Sequence, residues 1–282
     1  MTRHYSPSQL RQFLRCSRQW AYRYVEGLVV PPGAALVVGS SVHVPAGEYH
    51  ARGLRLGTEW SHDAAREQMG AEEAGDVAAA EFDRRAVDVP WDREDEAQGE
   101  AKDRAISMAR VYVEAVAPTT GRPLSVEERV TIQPEGEPWT LVAVPDLVAE
   151  EDDTGAEIVR DLKTSGKAPN GASKGKAEVG EENRRQLTVY SYARRAVTGS
   201  TPQGAAIDYV WTNKSGAQSI SASVVLCDGD EVELFEQLRA MHRAVEAGVF
   251  LRGTDGFLCT PRFCGYFDRC RPHRMSVAVG GA

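Results

Sequence analysis

The sequence predicts an α/β fold, in which helices surround a β-sheet, and three features of the chain point to it. Residues 59–86 and 93–116 are rich in Ala, Glu and Arg at helical spacing. From residue 124 onward the pattern changes to β-type apolar runs separated by polar turns, and the first two predicted strands cover residues 124–132 and 139–148. A further helical segment, residues 181–197, separates these runs from two more strand-like runs within residues 205–226, and such mixing of helices and strands is typical of α/β proteins.

Length and composition limit the possible classes of protein. The chain has 282 residues, enough for one large domain or two small ones with a packed core. It has no apolar run of membrane-spanning length and no secretory apolar stretch at its N-terminus, so we expect a cytoplasmic protein with no membrane partner. In that compartment the five cysteines indicate free thiols or metal ligands rather than disulfides.

The charge distribution is uneven. The net charge of −8 argues against a protein that coats nucleic acid non-specifically. Residues 160–195 nevertheless hold nine basic and four acidic residues, which allows a local basic cleft. Ordinary variation of surface charge is the alternative interpretation.

Residues 6–27 predict a pair of helices at the N-terminus. Ser6 followed by Pro7 is a helix start, with a capping hydroxyl and a proline at the first helical position. The second helix carries three aromatic residues among arginines, and the rings could stack on nucleobases or belong to the core. These residues are Trp20, Tyr22 and Tyr24.

Residues 36–43 lead to a histidine, His43, that precedes Pro45. A single histidine is usually structural. Because proline disrupts the interior of a helix, we expect His43 to lie in a first helical turn or in a distorted one. The two helical segments that follow read as a helical insert or lid.

Two carboxylates and a lysine meet in a predicted hairpin. An apolar strand that includes residues 142–148 ends in the acidic turn 150–154, and a second strand covers residues 158–164. Asp146 and Asp161 then face each other, with Lys163 on the same side as Asp161. Two carboxylates and an ammonium group at one point are typical of a site for a hard cation with a basic neighbour. A hairpin with solvated charges is the alternative.

Beyond the hairpin, a Gly- and Lys-rich loop covers residues 165–180, and we expect it to be mobile. In the helix 181–197, Gln186 and Tyr190 are four residues apart and therefore face one side. Asp230 is predicted to cap a last helix that ends near residue 247.

The C-terminal region contains Cys259, Cys264 and Cys270, which are close enough in sequence to converge on one metal centre. A four-ligand site needs one further thiolate, from Cys16 or Cys227. Cys227 follows an apolar strand and is predicted to be a small core residue. Three unrelated buried thiols are the alternative.

These motifs together resemble the RecB-type branch of the PD-(D/E)XK nucleases, especially its iron–sulfur group, which includes CRISPR adaptation nucleases, AddB-type subunits and phage exonucleases. The resemblance extends along the whole chain. It rests on the opening Ser-x-Ser-Gln-Leu segment, Gly39-x-x-x-His43, Pro145-Asp146 with Asp161-Leu162-Lys163, Gln186-x-x-x-Tyr190, and Cys264-x5-Cys270.

The resemblance implies a restriction-endonuclease-like core with a mixed central sheet flanked by helices. It implies one nuclease domain over residues 1–282, with a helical insert at 59–117 and a cysteine tail at 257–274 that packs on the helix around Cys16. It implies an exonuclease that hydrolyses single-stranded DNA or DNA ends in recombination, repair, phage replication or CRISPR adaptation, together with protein partners from these processes. A non-catalytic DNA-binding or scaffolding subunit with a zinc or iron–sulfur site is the alternative.

The resemblance also assigns roles to individual residues. Asp146, Asp161 and Lys163 are expected to be catalytic, with Lys163 in an electrostatic role rather than as general base. Mg²⁺ or Mn²⁺ would be held by His43, Asp146, Asp161 and the Leu162 carbonyl oxygen. DNA would be held by Gln186, Tyr190, Arg184, Arg185 and Lys167. A [4Fe–4S] cluster, or alternatively Zn²⁺, would be bound by Cys16, Cys259, Cys264 and Cys270.

Overall fold

The computed structural model describes residues 2–253 and 258–271. The predicted tail 257–274 therefore lies partly outside the described residues. Within them the β-strands are β1 Arg3–Tyr5, β2 Arg122–Val126, β3 Val130–Ile132, β4 Trp139–Ala143, β5 Leu147–Glu150, β6 Glu157–Ser165, β7 Gly204–Asn213 and β8 Gly216–Val224. The α-helices are α1 Pro7–Arg15, α2 Ser17–Tyr24, α3 Ala34–Leu56, α4 His62–Gln68, α5 Ala71–Ala86, α6 Gln98–Val111, α7 Glu181–Thr198, α8 Asp228–Glu246 and α9 Phe267–Cys270.

The central sheet has five strands in the order β2-β5-β6-β7-β8. The pair β6–β7 is parallel and the other pairs are antiparallel, so the sheet is mixed. The helix α7 connects the two parallel strands. A smaller sheet has the order β1-β4-β3, with β1 parallel to β4.

Two buried apolar clusters cover the two faces of the central sheet. One joins the sheet to α1, α2, α7 and α8, and its members include Trp20, Trp139, Leu187 and Leu238. The other joins α3, α5 and α6 to the sheet through Leu162. The predicted α/β class, with a mixed sheet flanked by helices, is therefore confirmed. None of the described helices is long and apolar enough to cross a membrane.

Two predicted strands are each divided in two. The predicted strand over residues 139–148 breaks at residues 144–146, because Pro145 has no N–H to donate to a ladder. The chain leaves the small sheet there and enters the central sheet as β5. The predicted strand over residues 124–132 breaks at Glu127, where φ is +46°.

His43 is the tenth residue of α3, which continues through Pro45, so of the two positions predicted for it the first helical turn is excluded. Two other local predictions were wrong. Asp230 is not the N-cap of α8. The N-cap is Cys227, and Asp230 lies three residues further on, where its carboxylate accepts a hydrogen bond from the Cys227 N–H at 2.7 Å. Cys227 is exposed, not part of the core.

Candidate active site

Three elements bring the predicted carboxylates and lysine together. In the β5–β6 pair Leu147 lies opposite Arg160, which places Asp146 at the entry of β5 facing Asp161 on β6. Lys163 lies two residues further along β6, on the same side as Asp161. The prediction that Asp146 and Asp161 face each other across a hairpin is therefore confirmed.

Asp146 connects the hairpin to α3. Its Oδ2 accepts a hydrogen bond from the Leu162 N–H at 2.8 Å, and its Oδ1 lies 3.5 Å from His43 Nδ1. The Leu162 amide therefore orients the Asp146 carboxylate, while the other oxygen faces the imidazole. The long helix α3, which is continuous through Pro45, supplies this histidine.

Asp161 and Lys163 are held from the other side by α7. The Lys163 ammonium forms an ion pair with Asp161 Oδ2 and donates to Gln186 Oε1 at 2.9 Å. Gln186 Nε2 donates to Asp161 Oδ1 at 2.8 Å and to the Tyr190 hydroxyl oxygen at 2.6 Å. Tyr190 is only 5 % exposed. The Tyr190 hydroxyl therefore supports Gln186, and the expected DNA contact of Tyr190 stays a prediction.

The ionisation of the site reflects its burial. Burial raises the pKa of Asp161 to about 6, with Lys163 opposing this effect and the charge of Asp146 adding to it. Burial opposes ionisation of Asp146 too, but its contact with His43 and the Leu162 amide lower its pKa overall. Burial by itself would lower the pKa of His43, because it disfavours the imidazolium form. The contact with Asp146 has the larger effect and raises the His43 pKa overall. The two aspartates therefore differ in proton affinity.

The donor atoms suit a hard divalent cation. His43, Asp146, Asp161 and Leu162 line one small cavity between α3 and the hairpin. Asp161 Oδ2 is buried and forms the ion pair with Lys163, so a cation at this oxygen would share it with the ammonium group. Carboxylate and carbonyl oxygens are the ligands that Mg²⁺ prefers. In the described part of the chain, however, no three His, Cys, Asp or Glu side chains form a group able to hold a metal ion.

The predicted phosphate-binding residues fall into two groups. Arg184 is held by an ion pair with Asp230 and donates to the Val225 carbonyl oxygen at 3.0 Å. Its expected phosphate contact is therefore in competition with this ion pair. Arg185 and Lys167 have no side-chain hydrogen bond or ion pair with any described residue, and Lys167 lies on the loop that follows β6.

The aromatic residues of α2 belong to the core. Trp20 and Tyr22 are 2 % and 3 % exposed, and Tyr22 packs against Tyr266 with ring centroids 5.4 Å apart. Stacking of these two rings on nucleobases is therefore wrong, and of the three rings only Tyr24 is exposed.

Sequence reasoning missed Glu127. Its N–H donates to the Asp146 carbonyl oxygen at 3.2 Å, and its carboxyl group lines the same cavity. The carboxyl group lies beside Gly47, where an added Cβ would meet it at 3.1 Å. Gly47 is one turn beyond His43 on α3, and because Glu127 is distant from α3 in sequence, no local pattern indicated this contact.

The four cysteines of the predicted cluster line a second cavity, between α2 and the C-terminal segment. Cys16 Sγ accepts a hydrogen bond from the Gly253 N–H at 3.2 Å, and Cys259 Sγ donates to the Gly253 carbonyl oxygen at 3.3 Å. Burial raises the pKa of Cys264, and the neighbouring three thiols add to this effect. The donor set is thus chemically suited to a thiolate-bound metal, although these side chains are not in metal-holding geometry.

Fold and site together define an α/β protein of the restriction-endonuclease-like class. The chain belongs to the PD-(D/E)XK nuclease superfamily, which it matches over residues 4–271. This confirms the broader part of the predicted resemblance, and the finding supports a nuclease.

Two solved structures are similar to the chain. The crystal structure of the "Putative exonuclease" from Eubacterium rectale is 14 % identical with a TM-score of 0.51, covering 96 % of this chain and 88 % of that one. At this identity the likeness shows the fold. The crystal structure of SSO0001 is 12 % identical with a TM-score of 0.39, covering 94 % of this chain and 84 % of that one. No curated protein sequence matches the chain.

Proposed function

We propose that the protein is a divalent-metal-dependent deoxyribonuclease that hydrolyses phosphodiester bonds at the Asp146–Asp161–Lys163 site. The observation that carries the proposal is the meeting of these three side chains with His43 around one cavity. The intact set of Asp146, Asp161 and Lys163 at one cavity argues against the non-catalytic alternative.

Each residue has a distinct role in this proposal. Asp146, Asp161, the Leu162 carbonyl oxygen and His43 would hold Mg²⁺ or Mn²⁺, which when bound neutralises charge on the phosphate and lowers the pKa of a water molecule. Lys163 stabilises negative charge that develops on the phosphate oxygens. Gln186 fixes both Lys163 and Asp161 through its amide, so we assign it a positioning role instead of the predicted DNA contact.

Purified protein should cleave end-labelled DNA with Mg²⁺ or Mn²⁺ and not with EDTA. Asp161→Ala and Lys163→Ala should each lower the cleavage rate by at least about a hundredfold, since removal of one electrostatic group in an active site costs that much. Arg84→Ala is the matched control, because its ion pair with Glu81 is on the exposed surface of α5. If Asp161→Ala cuts DNA at the wild-type rate, the site is wrongly assigned.

The preferred substrate that we propose is single-stranded DNA or DNA ends. Support comes from Arg185 and Lys167, which have no ion pair or side-chain hydrogen bond with any described residue and are therefore available to the phosphates of a DNA strand. Affinity should fall steeply with salt because phosphate contacts release counterions. Closed duplex circles cut as fast as linear single strands would contradict this preference.

We also propose that Cys16, Cys259, Cys264 and Cys270 bind one [4Fe–4S] cluster with a structural role, with Zn²⁺ as the alternative. Support comes from the shared cavity and from the tie that a cluster would make between α2 and the C-terminal segment. The cost of closing a loop grows slowly with its length, so a ligand more than 240 residues from the other three is acceptable. Anaerobically purified protein should be brown, with about four irons and four sulfides per chain. A colourless protein with stoichiometric zinc would refute the iron–sulfur cluster and favour a zinc site with the same four cysteines.

The remaining assignments stay proposals. We propose one nuclease domain over residues 1–282 with a helical insert at 59–117, supported by the packing of α5 and α6 on α3. We also propose a cytoplasmic location, where thiols stay reduced. Recombination, repair, phage replication and CRISPR adaptation remain the candidate processes, with protein partners from among them.

A further inference from the structure

A second, larger cavity begins at the candidate active site. It measures about 550 Å³ and lies between the ends of β6 and β7, the loop after β6, the first turn of α7, and α1. We call it the Trp211 cleft. Lys163 lines this cleft and also forms the ion pair with Asp161, so the cleft adjoins the residues proposed to act on a phosphate.

The cleft carries two cations that have no ion-pair partner among the described residues. Arg11 and Lys167 line it, and neither side chain makes an ion pair or hydrogen bond with any residue in 2–253 or 258–271. On α7, by contrast, Arg184, Arg194 and Arg195 are each paired with a carboxylate. Glu178 and Glu182 also line the cleft, so its charge is mixed. The free cations are therefore available to an anionic ligand that threads between these acidic groups.

Two aromatic residues of β7 form another part of the lining. Tyr209 and Trp211 are each 8 % exposed, and both line the cleft. The Tyr209 hydroxyl accepts a hydrogen bond from Asn183 Nδ2 at 3.2 Å and donates to the Glu178 carbonyl oxygen at 3.3 Å. Both Tyr209 and Trp211 belong to the core, so these rings are fixed in place before any ligand arrives.

We propose that the Trp211 cleft binds one unpaired nucleotide of the DNA strand, next to the phosphate at Lys163. The base would lie against Trp211, and Arg11 and Lys167 would contact its flanking phosphates. This rests on the proposed nuclease function and specifies how that site selects its substrate. The volume is in the range of about 300–1,000 Å³ of pockets for single small ligands.

The chemistry favours an unpaired base over a base pair. A base inside a duplex is covered on both faces by its neighbours, so it cannot offer a face to a fixed ring without leaving the stack. Stacking on an aromatic side chain tolerates any base sequence, because every base has a π-face. The cleft therefore accounts for a single-strand preference that Trp20 and Tyr22 of α2 cannot provide, because these two rings do not line it.

The test uses single-stranded oligonucleotides in which one abasic residue is moved along the strand. At one fixed distance from the cleaved bond, the abasic residue should lower kcat/KM by roughly 5- to 150-fold, the loss expected for one stacked base. At other positions the effect should be small. Trp211→Leu should remove this position dependence and Trp211→Phe should retain part of it, with circular dichroism confirming that both variants fold.

Arg11→Ala and Lys167→Ala should each raise KM severalfold, leave kcat nearly unchanged and reduce the salt dependence of binding by about one counterion. Lys174→Ala is the matched control, because Lys174 lies on the same loop but does not line the cleft. If neither Trp211 variant folds, Arg11→Ala and Lys167→Ala still test ligand binding in the cleft.

Two results of the cleavage assay would separate this inference from the proposed function. In the first, the wild type cleaves DNA with no position-dependent abasic effect, and Arg11→Ala and Lys167→Ala are indistinguishable from Lys174→Ala. This result would refute nucleotide binding in the cleft and leave the proposed nuclease function intact. No cleavage by the wild type would overturn the nuclease. In that case fluorescence anisotropy in EDTA, comparing intact and abasic strands with both sets of variants, still decides whether the cleft binds a base.

Discussion

His50 makes the protein's stability sensitive to mild acid. Its side chain is 3 % exposed on α3, and its Nε2 shares a hydrogen bond of 2.8 Å with the Tyr112 hydroxyl. Burial lowers the pKa of His50 to about 4, with Asp208 opposing this effect and Arg160 adding to it. The folded protein therefore keeps this imidazole neutral at pH values where the unfolded chain protonates it.

The size of the stability loss and its pH window follow from the shift in the His50 pKa. Below its ordinary pKa of 6.5, the unfolded chain binds a proton that the folded protein does not bind until about pH 4. Stability from this group is therefore complete above pH 6.5 and is lost as the pH falls towards 4. At about 1.4 kcal/mol for each pH unit, the full loss is about 3 kcal/mol.

The assay is urea unfolding at several pH values between 4 and 7.5, with EDTA present so that metal binding does not contribute. We expect the wild type to lose about 3 kcal/mol more over this range than His50→Gln, whose side chain does not titrate. Only the difference between the two proteins is used, because other groups titrate in the same window. His4→Gln is the control, since its ring lies at the surface. Parallel stability curves for the wild type and His50→Gln would refute the reasoning.

Three other substitutions give equally direct tests. Because the pKa of Asp161 is raised from 3.8 to about 6, its ionised form destabilises the fold above that pH. Asp161→Asn should therefore raise the free energy of unfolding in EDTA at pH 8 by up to about 3 kcal/mol, a gain that shrinks as the pH falls through 6, and should abolish cleavage. An unchanged free energy of unfolding at pH 8 would contradict the assigned burial cost. Cys264→Ala should lower the midpoint of thermal unfolding by roughly 5–10 °C and remove bound metal, while the exposed Cys227→Ala should do neither, and equal midpoints would argue against the cluster. Gly121 and Gly136 both have positive φ, but of the two only Gly121 would bring an added Cβ against backbone, at 2.2 Å. Gly121→Ala should therefore lower the free energy of unfolding by at least twice the roughly 1–2 kcal/mol expected for Gly136→Ala. Equal losses of stability in urea unfolding would show that the close contact relaxes.

Much of the hairpin and its chemistry was predictable from sequence, because strand alternation fixes which side chains share a face. Asp146, Asp161 and Lys163 needed only the period of two and a short turn. The break at residues 144–146 was harder to foresee, since an apolar run with a single proline also suits one bent strand. Its consequence is that two sheets, not one, meet at the candidate site.

Other features depend on tertiary contacts that local patterns do not encode. Cys227 follows an apolar strand and so resembles a core residue, but the chain turns outward there to begin α8. Trp20 and Tyr22 occur among arginines and so resemble a stacking surface, yet Phe250 and Tyr266, more than 200 residues away, cover them. The partner of Arg184, Asp230, is likewise distant in sequence.

The alternation of β6 explains why a costly buried ion pair lies directly beneath the candidate active site. Arg160 points away from Asp161 and forms two hydrogen bonds with Asp208 on β7, at 3.0 and 2.6 Å. A buried ion pair adds little net stability, but losing one partner is expensive, so alternative pairings of β6 and β7 that separate these residues are strongly disfavoured. A shift of β6 by one residue would exchange its two faces and remove Asp161 from Asp146. We infer that the Arg160–Asp208 pair fixes the strand register on which the geometry of both aspartates depends.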